Sequence, residues 1–367
     1  MHLYIHVPFC ARRCSYCDFA IAVRRDVPSD PFVDLILAEW GARLDEPESG
    51  RDVLDTVYLG GGTPSRLAPG ALARLLNGIR ADRPLAREAE VTLEANPDDV
   101  TPERATAWQA AGINRVSLGV QSFDPAVLAW MHRTHSGSQA AAAVTVLRRA
   151  GIDNVSLDLI LGLPAALGRD WARDLAGALA LAPDHLSLYG LTVERHTPLA
   201  RWTDRGEVSP VDEDRYAEEY LVAHQALEDA GLEHYEVSNA ARPGRRARHN
   251  SAYWRRAPFL GLGPSAHSGW GRYRRWNLRE WAAYQRAAGA GQPLLAGEER
   301  LDDEAVALEE AYLGLRTTDG LPAGRLPDDA VDGWCCSGWA LVGSDDRIRL
   351  TPEGWLRLDA LVPAATV

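Results

Sequence analysis

Along the first half of the chain, short runs dense in β-branched and apolar residues alternate with segments in which apolar residues recur every three or four positions. The runs Leu3 to Val7, Thr56 to Leu59, Glu90 to Ala95, Arg115 to Val120, Asn154 to Leu159 and His185 to Leu191 predict strands. The spacing predicts helices over Pro31 to Leu44, Pro69 to Ile79, Thr101 to Ala111, Gln139 to Ala150 and Trp171 to Leu181, with Thr101 as a cap and Pro102 in the first turn. GINRVSLG from Gly112 and GIDNVSLD from Gly151 repeat one helix-to-strand turn before successive strands, as parallel βα units require. Six such units make an α/β fold, a partial (β/α)6 barrel of TIM type. Gly60 to Thr63, Glu94, Gln121 and Asp158 fall at the C-terminal ends of these strands, where parallel α/β folds place their sites.

After about residue 195 the pattern changes to a helix at Asp212 to Ala230, a short strand at His234 to Val237 and an Arg-rich loop. From about Leu294 a last segment carries a helix (Asp303 to Leu315), turn signals and a strand-helix pair (Arg347 to Leu361). The expected organisation is a partial barrel over 1–195, an α/β extension over 196–293 and a small C-terminal domain over 294–367.

Apolar residues make up 46% of the 367 and charged residues 25%, which excludes collagen, coiled coil and wholesale disorder. Acidic residues number 51 against 39 basic ones, a formal net charge of -12, so the overall field repels nucleic acid and anionic membrane surfaces. No nucleic-acid partner is expected, and any anion site is local. Every basic residue is Arg; without Lys there is neither a lysine Schiff base nor a P-loop lysine. No signal-peptide pattern and no transmembrane segment is read, so the expectation is a cytoplasmic protein.

Three of the five cysteines, Cys10, Cys14 and Cys17, crowd into eight residues directly after the first strand. That grouping suits a metal site in a reducing compartment better than a disulfide scaffold. Structural zinc takes four protein ligands, whereas three clustered thiolates leave a fourth position open, which iron in a cubane cluster tolerates. A zinc knuckle completed by a distant His or Cys is the alternative. The adjacent Cys335 and Cys336 read as small buried apolar residues.

In their CxxxCxxC spacing these cysteines resemble those of radical S-adenosylmethionine (SAM) proteins. The resemblance implies a 4Fe-4S cluster held by three thiolates, with SAM bound at the open iron. It narrows to the oxygen-independent coproporphyrinogen III oxidases and their HemW-like relatives through LYIHVPFC, YLGGGTPS, LEANP, GVQSF, DLILGLP, LSLYGL, YEVSNAA, RHNSAYW and FLGLGPSAHS, which cover nearly the whole chain. Carried over position by position, it implies that Tyr4 and Tyr16 lie near the cluster and SAM. Gly61, Gly62 and Thr63 bring backbone close to SAM, Glu94 and Gln121 hydrogen-bond at strand ends, Arg133 pairs with the SAM carboxylate, and Asp158 binds the nucleoside. It also implies a small winged-helix-like C-terminal domain, fitted by EEAYLGLRTTDGLP and IRLTPEGW.

Two departures separate this chain from the oxidases of the group. Their fourth cysteine, two residues after the third, is replaced by Phe19, and only nine residues precede Cys10, too few for their N-terminal arm. Conversely, His249 to Trp254 fits HNxxYW, the motif of the HemW-like haem chaperones. A loop His can ligate haem iron, and Arg242, Arg245, Arg246, Arg248, Arg255 and Arg256 around it could pair with propionates. Tyr253, Trp254, Phe259, Trp270 and Trp276 could supply an apolar floor, and His267 is a second candidate ligand. The resulting expectation is a haem chaperone that binds cluster, SAM and haem and delivers haem to respiratory haemoproteins, peripheral at the inner membrane during delivery. A homodimer stays open, and the alternative function is coproporphyrinogen III oxidation, the conversion of two propionates to vinyls.

Overall fold

The computed structural model describes residues 1–44, 46 and 53–365. Its strands are β1 (His2–Val7), β2 (Phe9–Cys10), β3 (Ala22–Val23), β4 (Leu54–Gly61), β5 (Leu85–Ala95), β6 (Arg115–Gln121), β7 (Asn154–Leu161), β8 (His185–Gly190), β9 (Glu233–Glu236), β10 (Asn239–Ala241), β11 (Phe259–Leu262), β12 (His267–Trp270), β13 (Tyr273–Asn277), β14 (Leu295–Arg300), β15 (Leu321–Pro322), β16 (Ala340–Val342) and β17 (Arg347–Leu350). Twelve of them form one sheet in the order β14-β13-β12-β11-β1-β4-β5-β6-β7-β8-β10-β9. From β11 to β8 all pairings are parallel. The six expected strands are therefore present in their expected order. A seventh, β11, comes from the FLGLGPSAHS run and lies parallel to β1 with Leu3 opposite Leu260. Antiparallel strands extend both edges.

Helices α1 (Ser29–Ala42), α2 (Pro69–Asp82), α3 (Pro102–Ala110), α4 (Pro125–Trp130), α5 (Gly137–Arg149) and α6 (Trp171–Ala180) connect the parallel strands. Their starts are written in local chemistry. Thr101 accepts a hydrogen bond from Arg104 N ahead of Pro102, Ser136 and Gln139 form a capping box, and Asp170 caps α6. The two matching entries Gly112 and Gly151 both have positive φ, 90° and 85°, which glycine adopts without strain on leaving a helix.

Strand side chains alternate between two faces, and here the division by polarity is sharp. Leu3, Ile5, Val57, Leu59, Leu93, Val116, Leu118, Leu157 and Leu186, all wholly buried, point outward against Phe32, Ile36, Leu72 and Leu75 of the helices. Burying each is worth about 1.5–3 kcal/mol, so this outer layer carries the fold. The inner face reads His2-Tyr4-His6, Thr56-Tyr58-Gly60, Glu90-Thr92-Glu94, Arg115-Ser117-Gly119, Ser156-Asp158 and His185-Ser187-Tyr189. In a TIM barrel bulky branched residues fill this space; here it is a polar lumen.

Beyond the barrel lie α7 (Pro198–Asp204), α8 (Glu213–Asp229), α9 (Arg248–Trp254) and α10 (Trp281–Gly289). The last segment holds α11 (Asp303–Leu315), α12 (Asp328–Cys336), α13 (Pro352–Trp355) and α14 (Leu358–Ala365) around a three-stranded sheet ordered β15-β17-β16. Arg316 ties it to the rest, ion-paired with buried Glu236 at 3.1 Å and stacked over Trp254 at 3.8 Å. Cys335 is half-buried and Cys336 exposed in the last turn of α12, so the reading of both as buried is corrected; Trp334 takes the inward position. Among the described residues no helix is long and apolar enough to cross a membrane.

Candidate functional site

A cavity of about 420 Å³ opens at the C-terminal strand ends, between the lumen and the cysteine loop. The loop is clamped at its base by the short β2–β3 pairing, which sets Cys10 opposite Val23, and further along by Ser15, whose amide donates to Met131 O and whose carbonyl accepts from Leu199 N. All three thiols, none in a disulfide, line the cavity. Thr63 Oγ1 lies 3.4 Å from Cys10 Sγ and Arg133 Nη1 3.7 Å from Cys14 Sγ. Burial pushes the Cys10 thiol up and the Cys17 thiol up to about 11, so losing their protons needs a strong compensating charge, as a metal supplies.

Among the described residues no three His, Cys, Asp or Glu side chains gather closely enough to hold a single ion. A mononuclear zinc needs every thiolate about 2.3 Å from one point, whereas a cubane offers each thiolate its own iron. Three thiols lining one roomy cavity, with a fixed cation beside one of them, fit a cluster in which each thiolate has its own iron.

Most of the expected residues come together on this cavity: Tyr16, Gly61, Gly62, Thr63, Glu94, Gln121, Arg133 and Asp158 line it with the cysteines. Arg133 also donates to Asn96 Oδ1 and Gly119 O, each at 2.6 Å, so its guanidinium is held in place. Ser117 donates to Asp158 at 3.0 Å, and Tyr58 and Gly61 N donate to the two oxygens of Glu94 at 2.8 and 3.0 Å. Burial pushes the Glu94 carboxyl up to about 7 and raises that of Asp158. Gln121 turns the chain with φ 67°. The glycines have a reason of their own: a Cβ on Gly61, at φ 108°, would stand 2.5 Å from the His6 ring, and one on Gly62 would stand 2.7 Å from the Pro8 backbone.

Tyr4 lies one layer deeper, bonded to His6 at 3.1 Å and stacked on Tyr58. Tyr58, Asn96, Ser117 and Tyr189 also build the site, although sequence reasoning assigns none of them a role; for Tyr58, Ser117 and Tyr189 the signal is the polar alternation along β4, β6 and β8. Phe19 is 60% exposed at the mouth, at the position where the oxidases carry their fourth cysteine.

His249 is not on a loop and does not reach the cavity. RHNSAYW folds as α9, whose first two amides donate to the Glu90 carboxylate at 3.0 Å each, closing the lower end of the lumen. The imidazole is 1% exposed, bonded through Nδ1 to Thr56 and through Nε2 to Tyr253. Burial, with His2 and Arg115 nearby, brings its pKa down to about 3. Nor do the arginines form an open cationic cluster. Arg246 pairs with Glu233, Arg255 with Asp319, Arg256 with Glu309 and Glu310, and Arg245 with Asp184, while Arg242 and Arg248 donate to carbonyls. The aromatic floor divides: Tyr253 packs on Phe259, Trp254 lies under Arg316, Trp270 stacks on Tyr273, and Trp276 stacks on the exposed His267.

The parallel barrel and the cysteine loop over its strand ends define a radical SAM protein, and the description "Radical SAM superfamily" matches residues 4–173. Heme chaperone HemW of Mycobacterium tuberculosis H37Rv is 41% identical over 370 residues, covering 98% of this chain and 93% of the relative. HemW of Escherichia coli K12 is 40% identical over 268 residues, 73% of this chain and 69% of the relative. The mouse mitochondrial radical S-adenosyl methionine domain-containing protein 1 is 42% identical over 265 residues, 72% and 60%. The chain belongs to the HemW family of that superfamily. Coproporphyrinogen III oxidase (HemN) of E. coli superposes with a TM-score of 0.81 at 22% identity, over 98% of this chain and 88% of the other, a likeness of fold.

Proposed function

We propose that this protein is a haem chaperone of the cytoplasm that carries a 4Fe-4S cluster and SAM and passes haem to respiratory haemoproteins. The observation that carries the reading is the set of three free thiols opening on one cavity with Arg133, Glu94 and Asp158, in a chain whose relatives named heme chaperone match it almost end to end. Cys10, Cys14 and Cys17 would hold the cluster. Arg133 would pair with the SAM carboxylate, while Glu94 and Asp158 would take its ammonium group or hydroxyls. When bound, the reduced cluster supplies an electron for cleavage of the SAM sulfonium. Phe19, in place of a thiol at the mouth, supports delivery over porphyrin oxidation.

Haem ligation through His249 requires α9 to leave the lumen floor, because both ring nitrogens are committed in the conformation described. Haem titration of anaerobically prepared protein tests the reading, followed by transfer to an apo-haemoprotein and an assay with coproporphyrinogen III. Stoichiometric haem binding, transfer, and no protoporphyrinogen are expected. Multiple-turnover formation of protoporphyrinogen would overturn it in favour of the oxidase. A Soret band unchanged in His249→Ala would place the haem ligand elsewhere.

A further inference from the structure

The HNxxYW helix lies under the lumen, and an unbroken set of side chains joins it to the cavity wall. Glu90 fixes the start of α9, and the His249 ring rises from it, held by Thr56 at 2.6 Å and Tyr253 at 2.7 Å. That ring stacks on Tyr58, with centroids 5.1 Å apart and planes 27° from parallel. Tyr4 stacks on Tyr58 as well, at 6.1 Å and 26°. Restrained by two neighbouring rings, Tyr58 has little freedom to turn, and its hydroxyl donates to Glu94 Oε1 at 2.8 Å. Oε2 of the same carboxylate holds Gly61 N, in the glycine turn of the cavity.

We infer that His249 is a positioning residue of the cavity: it holds Tyr58 so that the hydroxyl aims at Glu94 and fits that carboxylate to grip a cationic nucleoside ligand. The inference rests on the reading that SAM occupies this cavity. Around Glu94 stand Tyr4 of β1, Tyr58 of β4, Arg115 of β6, Asp158 of β7, Tyr189 of β8 and Tyr253 of α9. Burial and Asp158 disfavour its charge, while the Tyr58 hydroxyl, Gly61 N and Arg115 favour it, leaving the balance near neutral pH. A displaced Tyr58 removes one of the favouring donors, so the carboxylate ionises only at higher pH. His249 itself stays neutral there and acts by stacking and hydrogen bonding.

The test is equilibrium SAM binding between about pH 6 and 9 by haem-free protein carrying its cluster, in wild type, Tyr58→Phe, Tyr253→Phe, His249→Ala and the Tyr58→Phe/His249→Ala double variant. Wild-type affinity should rise with pH through about 7. Tyr58→Phe should bind about tenfold more weakly near neutral pH, as loss of a hydrogen bond to a charged group implies, and its profile should move to higher pH. His249→Ala should move the profile the same way, and the double variant should match Tyr58→Phe alone, because one residue acts through the other. Should His249→Ala not fold, Tyr253→Phe, which deletes only the hydroxyl on Nε2, should give a smaller displacement of the same sign. General damage would lower affinity equally at every pH and would overturn the inference, as would unchanged profiles or full additivity. Wild type that does not bind SAM would instead sink the SAM reading beneath it.

Discussion

Arg133 stands 3.7 Å from the Cys14 sulfur while two other hydrogen bonds, to Asn96 and Gly119, keep its guanidinium from swinging away. If Cys14 ligates a cluster as proposed, this fixed cation beside its sulfur would receive the carboxylate of the molecule bound there. Arg133→Ala and Asp158→Ala should both retain iron and lose roughly tenfold or more in SAM affinity, measured by anaerobic calorimetry. Unchanged affinity in both would mean that SAM sits elsewhere.

Anaerobic reconstitution should load about four irons per chain, each of three bound by one thiolate. Cys14→Ser should abolish the visible absorption and the iron. Bound zinc and a blank visible spectrum in the wild type would remove the cluster and every step that depends on it.

How much of this was legible in the sequence follows from how local each signal is. The six barrel strands, the Thr101 helix start and the thiols are written within a few residues. β11 is not legible as a strand, because the four residues FLGL gain that meaning only from pairing with β1, more than 250 positions earlier. The lumen was missed for a different reason. Val, Ile and Leu content marks the strands, while the polar residues between them, such as Glu90-Thr92-Glu94, are spaced by two and form the second face. His249 misled because an Arg-rich stretch resembles an exposed loop, while its burial depends on Glu90 and Thr56 from distant strands.

Gly61 combines a positive φ with close approach of the His6 ring. Gly61→Ala should lower unfolding free energy by about 1–3 kcal/mol, the usual cost of a non-glycine residue held in such a region, and should weaken SAM binding. Urea denaturation checks the first effect. Gly70→Ala is the control, since a Cβ there meets nothing within 4 Å.

His234 is buried against His224 and Trp355, and desolvation brings its pKa down to about 3. The unfolded imidazole takes a proton near 6.5 and the folded one does not, so this residue's stabilisation is complete above pH 6.5 and is lost as pH falls toward 3. Between pH 7 and 5 the stability advantage of wild type over His234→Gln should shrink by about 2 kcal/mol. Parallel pH curves for the two proteins would show that the ring is not held neutral.

The seating of β1 between β4 and β11 gives the chain a timetable. β1 leads directly into the cysteine loop, and one of its two edges is covered by Phe259–Leu262. A ribosome adding about 5–20 residues per second takes on the order of tens of seconds to reach that segment. Throughout that interval the nascent chain presents an unpaired parallel edge beside its thiols. Premature edge pairing is therefore a hazard of synthesis, one that ends when Phe259–Leu262 takes its place beside β1.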